Sequence, residues 1–163
     1  MASLHSPEQK SRLQLEVRGY QLLKPVGEDW DDNWLILKMT VETPKRRWNG
    51  QGPFLTTFEV IHLVTQLKAW SAKGEMEETL KFTEPNLAFV KNPSGDTLLL
   101  LRVGFDLECH PDGITRVGGA FWVPFEVTPA ELLAFAESLE KEVAAYPERH
   151  LTRGSKIYKA KNT

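Results

Sequence analysis

The chain predicts an α+β fold, and three observations predict it. Two segments carry helix-capping signatures, the stretches between them alternate apolar and polar residues, and tight-turn motifs force neighbouring strands to run antiparallel. The expected order is strands, helix, strands, helix. About seven or eight strands should form a twisted, mainly antiparallel sheet, with two amphipathic helices packed on one side of it.

The strands come first. Leu13, Leu15 and Val17 alternate with polar residues, and Leu35, Leu37, Met39 and Val41 do so again, which places Trp34, Ile36, Lys38 and Thr40 on the other face. "PKRRWNG", Pro44 to Gly50, reads as a hairpin connection. The first helix starts at "LTTFEV". Thr56 is its N-cap, Glu59 closes a capping box, and Leu55 with Val60 forms a hydrophobic staple. Val60, Leu63, Val64, Leu67 and Trp70 then follow one helical face, and Lys73-Gly74 ends it.

In "TLLLLRVGFDLEC", Leu99, Leu101, Val103, Phe105 and Leu107 share one side, with Arg102, Asp106 and Glu108 opposite. "NPSG" and "HPDG" place Pro second and Gly fourth, as type I turns prefer. The following strand carries Val117, Phe121, Val123, Phe125 and Val127 on one face. Pro124 cannot donate to a ladder, so this strand is expected at an edge or with a bulge. The second helix starts at "VTPAEL": Thr128 caps, Pro129 takes the first helical position and Glu131 completes the box. Leu132, Phe135, Ala136, Leu139, Val143 and Tyr146 form its stripe before Pro147 stops it.

A length of 163 residues suits one domain, assigned to residues 1–147 with 1–11 flexible, followed by a basic tail, 148–163, expected to be disordered. The formal net charge is −2, and the tail holds five basic residues against one acid. Subtracting its +4 leaves −6 on residues 1–147, so the folded body disfavours nucleic acid and favours a basic protein partner. No apolar run is long enough for a membrane helix, and "MASLHSPEQK" has no apolar stretch behind a basic patch, so a cytoplasmic location is expected. The single cysteine, Cys109, excludes an internal disulfide and a cysteine-cluster metal site.

Catalytic signatures do not stand out. The histidines are His5, His62, His110 and His150, none in a nucleophile-activating motif, and adjacent Cys109 and His110 would point to opposite faces of a strand. No phosphate loop or calcium loop is present, and no cofactor is implied. An enzyme would have to use a carboxylate face, with Asp106 and Glu108 converging on Glu84. RNA binding would require Lys45, Arg46 and Arg47 to join the basic tail in one patch.

The acidic loop "GEDWDDNWL" is the most conspicuous feature left. Asp29, Asp31 and Asp32 crowd Trp30 and Trp34, and like charges at short range repel unless a cation sits opposite. Either the acids face water while Trp34 anchors a strand and Trp30 closes the loop, or a basic partner meets them. An exposed Trp30 could also be hidden in a homodimer.

Taken in order, "GYQLLKPVGEDWDDNWLILKMTVE", "LTTFEVIHLVTQLKAW", "LKFTEPNLAFV", "LRVGFDLE" and "VPFEVTPAELLAFAESLE" resemble the WapI-like family of bacterial immunity proteins. The likeness runs from Leu15 to Tyr146, and "WDDNWL" and "FTEPNL" are its most telling pieces. It implies a cytoplasmic protein that binds and occludes the toxic C-terminal domain of a contact-delivered toxin, often a nuclease. On that reading Asp29, Asp31 and Asp32 supply charge, Trp30 an anchor, and Asp106 with Glu108 extends the acidic face. A binding or scaffold protein of another role, or a small enzyme, is the alternative.

Overall fold

The computed structural model describes residues 1–28, 30–74, 77–93, 95, 97–114 and 118–149. In chain order they form β1 (Ala2–Ser6), β2 (Ser11–Tyr20), β3 (Trp34–Glu42), β4 (Arg47–Thr56), α1 (Thr57–Ser71), β5 (Thr79–Lys81), β6 (Leu87–Asn92), β7 (Leu99–Phe105), β8 (Phe121–Val127) and α2 (Pro129–Val143). The class is α+β in the expected order. The eight strands form two four-stranded antiparallel sheets, β1-β2-β3-β4 and β5-β6-β7-β8.

Alternation dictates which face is buried. In β3, Leu35, Leu37, Met39 and Val41 are fully buried; in β7 and β8, Leu101, Val103, Phe105, Phe125 and Val127 are too. These faces join the stripes of α1 and α2 in one core. The helices pack on each other, α2 also against β1 and β2, and α1 against β4. The sheets meet where Ser6 Oγ accepts from the Glu126 N–H and donates to the Glu126 carbonyl, both at 2.9 Å. β8 is an edge strand, as Pro124 foretells, so the missing N–H costs no ladder bond.

The N-terminus departs from expectation. Residues 2–6, read as flexible, form β1, paired from Ala2↔Leu15 to Ser6↔Ser11, with Ala2, Leu4 and Ser6 buried. Two of those three inward residues are small or polar, so the alternation is faint in the sequence. Of the basic tail, Glu148 and Arg149 are described and Arg149 is hydrogen-bonded to the body; residues 150–163 lie outside the described residues.

Both helices use the capping boxes read from sequence, with Thr56 and Thr128 accepting from the N–H groups of Glu59 and Glu131. Among the described residues no helix is long and apolar enough to cross a membrane. The end of α1 is a Schellman turn: Gly74 N–H reaches the Ala69 carbonyl at 2.9 Å and Lys73 N–H the Trp70 carbonyl at 3.1 Å. Lys73, rather than Gly74, takes the left-handed conformation (φ +56°). A Cβ is disfavoured there, so Lys73→Gly is expected to raise stability by about 1 kcal/mol, read by urea denaturation. An unchanged or lower midpoint would contradict that.

Candidate partner-binding cleft

Between β4, the loop joining β2 to β3, the β5–β6 connection and the turn after β7 lies an open cleft of about 680 Å³. Asp31, Glu84 and Glu108 line it, with Trp34, Phe54 and Leu107 supplying apolar wall. All three carboxylates are exposed. Acids from three separate chain segments thus share one concave surface, whose low-dielectric walls concentrate negative potential.

Each acid is placed by local chemistry. Glu84 sits on the connection anchored where the Thr83 N–H donates to Glu59 Oε1 at 2.7 Å. Glu108 belongs to a 3-10 turn, Leu107–Cys109, and its Oε2 accepts from Asn86 Nδ2 at 2.7 Å. That turn is clamped to β4. Trp48 Nε1 donates to the Cys109 carbonyl at 2.8 Å, and a Cβ on Gly50 would stand 2.8 Å from the Glu108 carbonyl, so only glycine permits the approach.

The pairing of Asp106 with Glu108 on one strand face is corrected by the structure. β7 ends at Phe105 and Leu107 takes a left-handed conformation (φ +47°), so alternation stops there. Asp106 caps the turn, accepting from the Leu107 N–H at 2.7 Å, and is not among the residues lining the cleft; Glu108 is. The convergence that a carboxylate enzyme would have needed therefore joins Glu84 to Glu108 without Asp106.

The acidic loop is equally selective. Asp31 reaches the cleft. Asp32 is fully buried: one of its oxygens accepts from Val26 N–H at 2.6 Å, the other from Gly27 N–H at 2.8 Å and Glu28 N–H at 3.0 Å. Three successive N–H groups converging on one anion form a nest, and Gly27 supplies the positive φ (+93°) that turns it. Trp30 is half-buried with its ring against Phe58 at 4.7 Å, and Trp34 is half-buried on the cleft wall. Asp29 lies outside the described residues. Leu23 and Val26, in the same loop and 90% and 64% exposed, had no periodic signal; their mark in the sequence is two aliphatic positions in a segment broken by Pro25 and Gly27.

The other side chains weighed for chemistry are occupied structurally. Burial pushes the Cys109 thiol well above its ordinary range, with Glu108 adding to the effect, which keeps it a neutral thiol. His110 Nδ1 accepts from the Asp112 N–H at 3.0 Å, and burial holds His62 below the usual imidazole range. Among the described residues no three His, Cys, Asp or Glu side chains gather to hold a metal ion. At the far end of β4, Lys45 and Arg46 line a second groove, where Arg46 pairs with Asp112 at 2.8 Å and lies over Phe121. Of the tail's basic residues that RNA binding would recruit to it, Arg149 is bonded instead at Leu22 and Asn33, and the other four fall beyond 149 and are not described.

The family model for the immunity protein WapI-like family matches residues 3–147. No curated protein and no solved structure matches the chain.

Proposed function

The chain belongs to the WapI-like family of immunity proteins, and on that premise we propose that it neutralises a basic toxin domain, of the nuclease kind, by binding in the cytoplasm and without catalysing a reaction. The acidic cleft is the binding surface. The observation that carries this reading is the meeting of Asp31, Glu84 and Glu108, distant in sequence, in one open concavity with an aromatic wall. A nuclease site is basic because it holds phosphate, and grouped carboxylates can occupy it as phosphate mimics. Among the described residues that line the cleft there is no Lys or Arg, and carboxylates grouped in this way favour a basic partner as their counter-charge. Asp32 contributes by shaping the loop, and Asp106 by shaping the turn.

The test uses a candidate toxin C-terminal domain, sought among the genes that flank this one and purified as an inactive variant, and the triple variant Asp31→Asn/Glu84→Gln/Glu108→Gln. All three side chains are exposed, so thermal stability should be unchanged. The association rate at low salt is expected to fall about 10- to 100-fold, and the steep salt dependence of the wild type should flatten. Equal rates for both proteins would remove the cleft from the interface.

A further inference from the structure

The loop 21–33 beside the cleft is held at both ends and presents apolar side chains between its holds. At its neck the Gln21 N–H donates to the Trp34 carbonyl at 2.8 Å. On one side the Asp32 carboxylate gathers the N–H groups of Val26, Gly27 and Glu28. On the other, Arg149 makes a clamp of four contacts. Its N–H donates to Asn33 Oδ1 at 2.8 Å, its carbonyl accepts from Asn33 Nδ2 at 2.7 Å, its guanidinium donates to the Leu22 carbonyl at 2.8 Å, and the same group lies 3.4 Å from the centre of the Tyr20 ring. The arch from Leu23 to Val26 is thus suspended between a bonded carbonyl at Leu22 and a bonded N–H at Val26, with Pro25 limiting its freedom.

Such an arrangement keeps Leu23 and Val26 in water, where nothing in the fold gains from them. Gln21 and Leu22 line the acidic cleft, so the arch is continuous with it. Fixed aliphatic groups flanked by charges have the make-up of an interface centre, and a loop ordered beforehand loses little entropy on docking. We propose that the Leu23–Val26 arch is the apolar contact of the toxin interface, entering an apolar recess next to the toxin's basic site, and that Arg149 is the positioning residue that holds the arch in its binding form. This rests on the reading of the cleft as the toxin-binding surface. A second copy of the chain would bring Asp31, Glu84 and Glu108 against acids of the same sign, so charge complementarity selects the basic domain.

The experiment combines hydrogen exchange of the loop amides with binding to the inactive toxin domain, for Leu23→Ser/Val26→Ser, Arg149→Ala and Arg149→Lys. The Leu23/Val26 variant should keep wild-type exchange and melting temperature while its dissociation rate rises about 10-fold or more. Arg149→Ala should speed exchange at residues 22–28 about 10-fold and slow association, because only the ordered fraction binds. Arg149→Lys keeps a cation over Tyr20 and should recover part of both. Unchanged binding by the Leu23/Val26 variant, in a system where the cleft triple variant does lose affinity, would overturn the inference and leave the cleft reading intact. Faster loop exchange with unchanged affinity would overturn the positioning role of Arg149. Failure of the wild type itself to bind would remove both.

Discussion

Glu59→Ala is expected to lower stability by about 2–3 kcal/mol, a loss of about 5–10 °C in melting temperature for a domain of this size. Glu59 occupies the third position of α1 and is fully buried, which is unusual for a capping-box glutamate at a helix surface. One carboxylate oxygen accepts from Thr56 N–H at 2.9 Å and Thr56 Oγ1 at 3.1 Å, and the other from Thr83 N–H at 2.7 Å. A single side chain therefore caps the helix and ties it to the β5–β6 connection of the second sheet. Alanine removes the acceptor for the buried Thr56 N–H, leaves the Thr83 N–H to water, and opens a void where the carboxylate stood. Glutamine keeps one acceptor and sets an amide donor against an N–H, so its cost should lie between wild type and alanine. Because Glu84 follows Thr83, the same change should also weaken toxin binding by loosening one wall of the cleft. Urea denaturation of the three proteins decides it, and a loss under about 0.5 kcal/mol for alanine would show that the cap and the tie contribute little.

The features that were legible in the sequence are the local ones. A Thr and a Glu three apart can satisfy each other's backbone whatever the rest of the chain does, so both capping boxes stand where the spacing puts them. Alternation in β3 and the Pro at the β8 edge are legible for the same reason. Division of the eight strands into two sheets is not, since it depends on where β1 meets β8 across nearly the whole chain. Neither is the end of β7, where one left-handed residue, Leu107, sends Glu108 to the cleft and Asp106 to a cap. The acidic loop was recognisable as unusual, but Asp31 and Asp32 are neighbours of identical chemistry with opposite fates, and the turn at Gly27 decides which oxygen atoms face the backbone and which face the cleft.

That contrast yields the sharpest pair of substitutions. Asp32→Ala is expected to cost about 3 kcal/mol, because three backbone N–H groups lose a charged acceptor at once. Asp31→Ala, at an exposed neighbouring position, should change stability by less than about 0.5 kcal/mol. Binding separates the two differently. Asp31 is read as touching the partner, so its loss should slow association and reduce the salt dependence. Asp32 is turned inward, yet its loss releases Val26, Gly27 and Glu28 and with them the arch and the carboxylate of Asp31, so affinity should fall at least as far. Asp32→Asn does not rescue this, since its amide nitrogen would face an N–H that needs an acceptor. Parallel urea melts, amide exchange at residues 26–28 and toxin-binding kinetics read all three variants. A stable, slowly exchanging Asp32→Ala protein would show that the loop holds its shape through Arg149 and Trp30 alone. In that case the wild-type affinity would have to come from side chains on the loop rather than from the carboxylate that organises it.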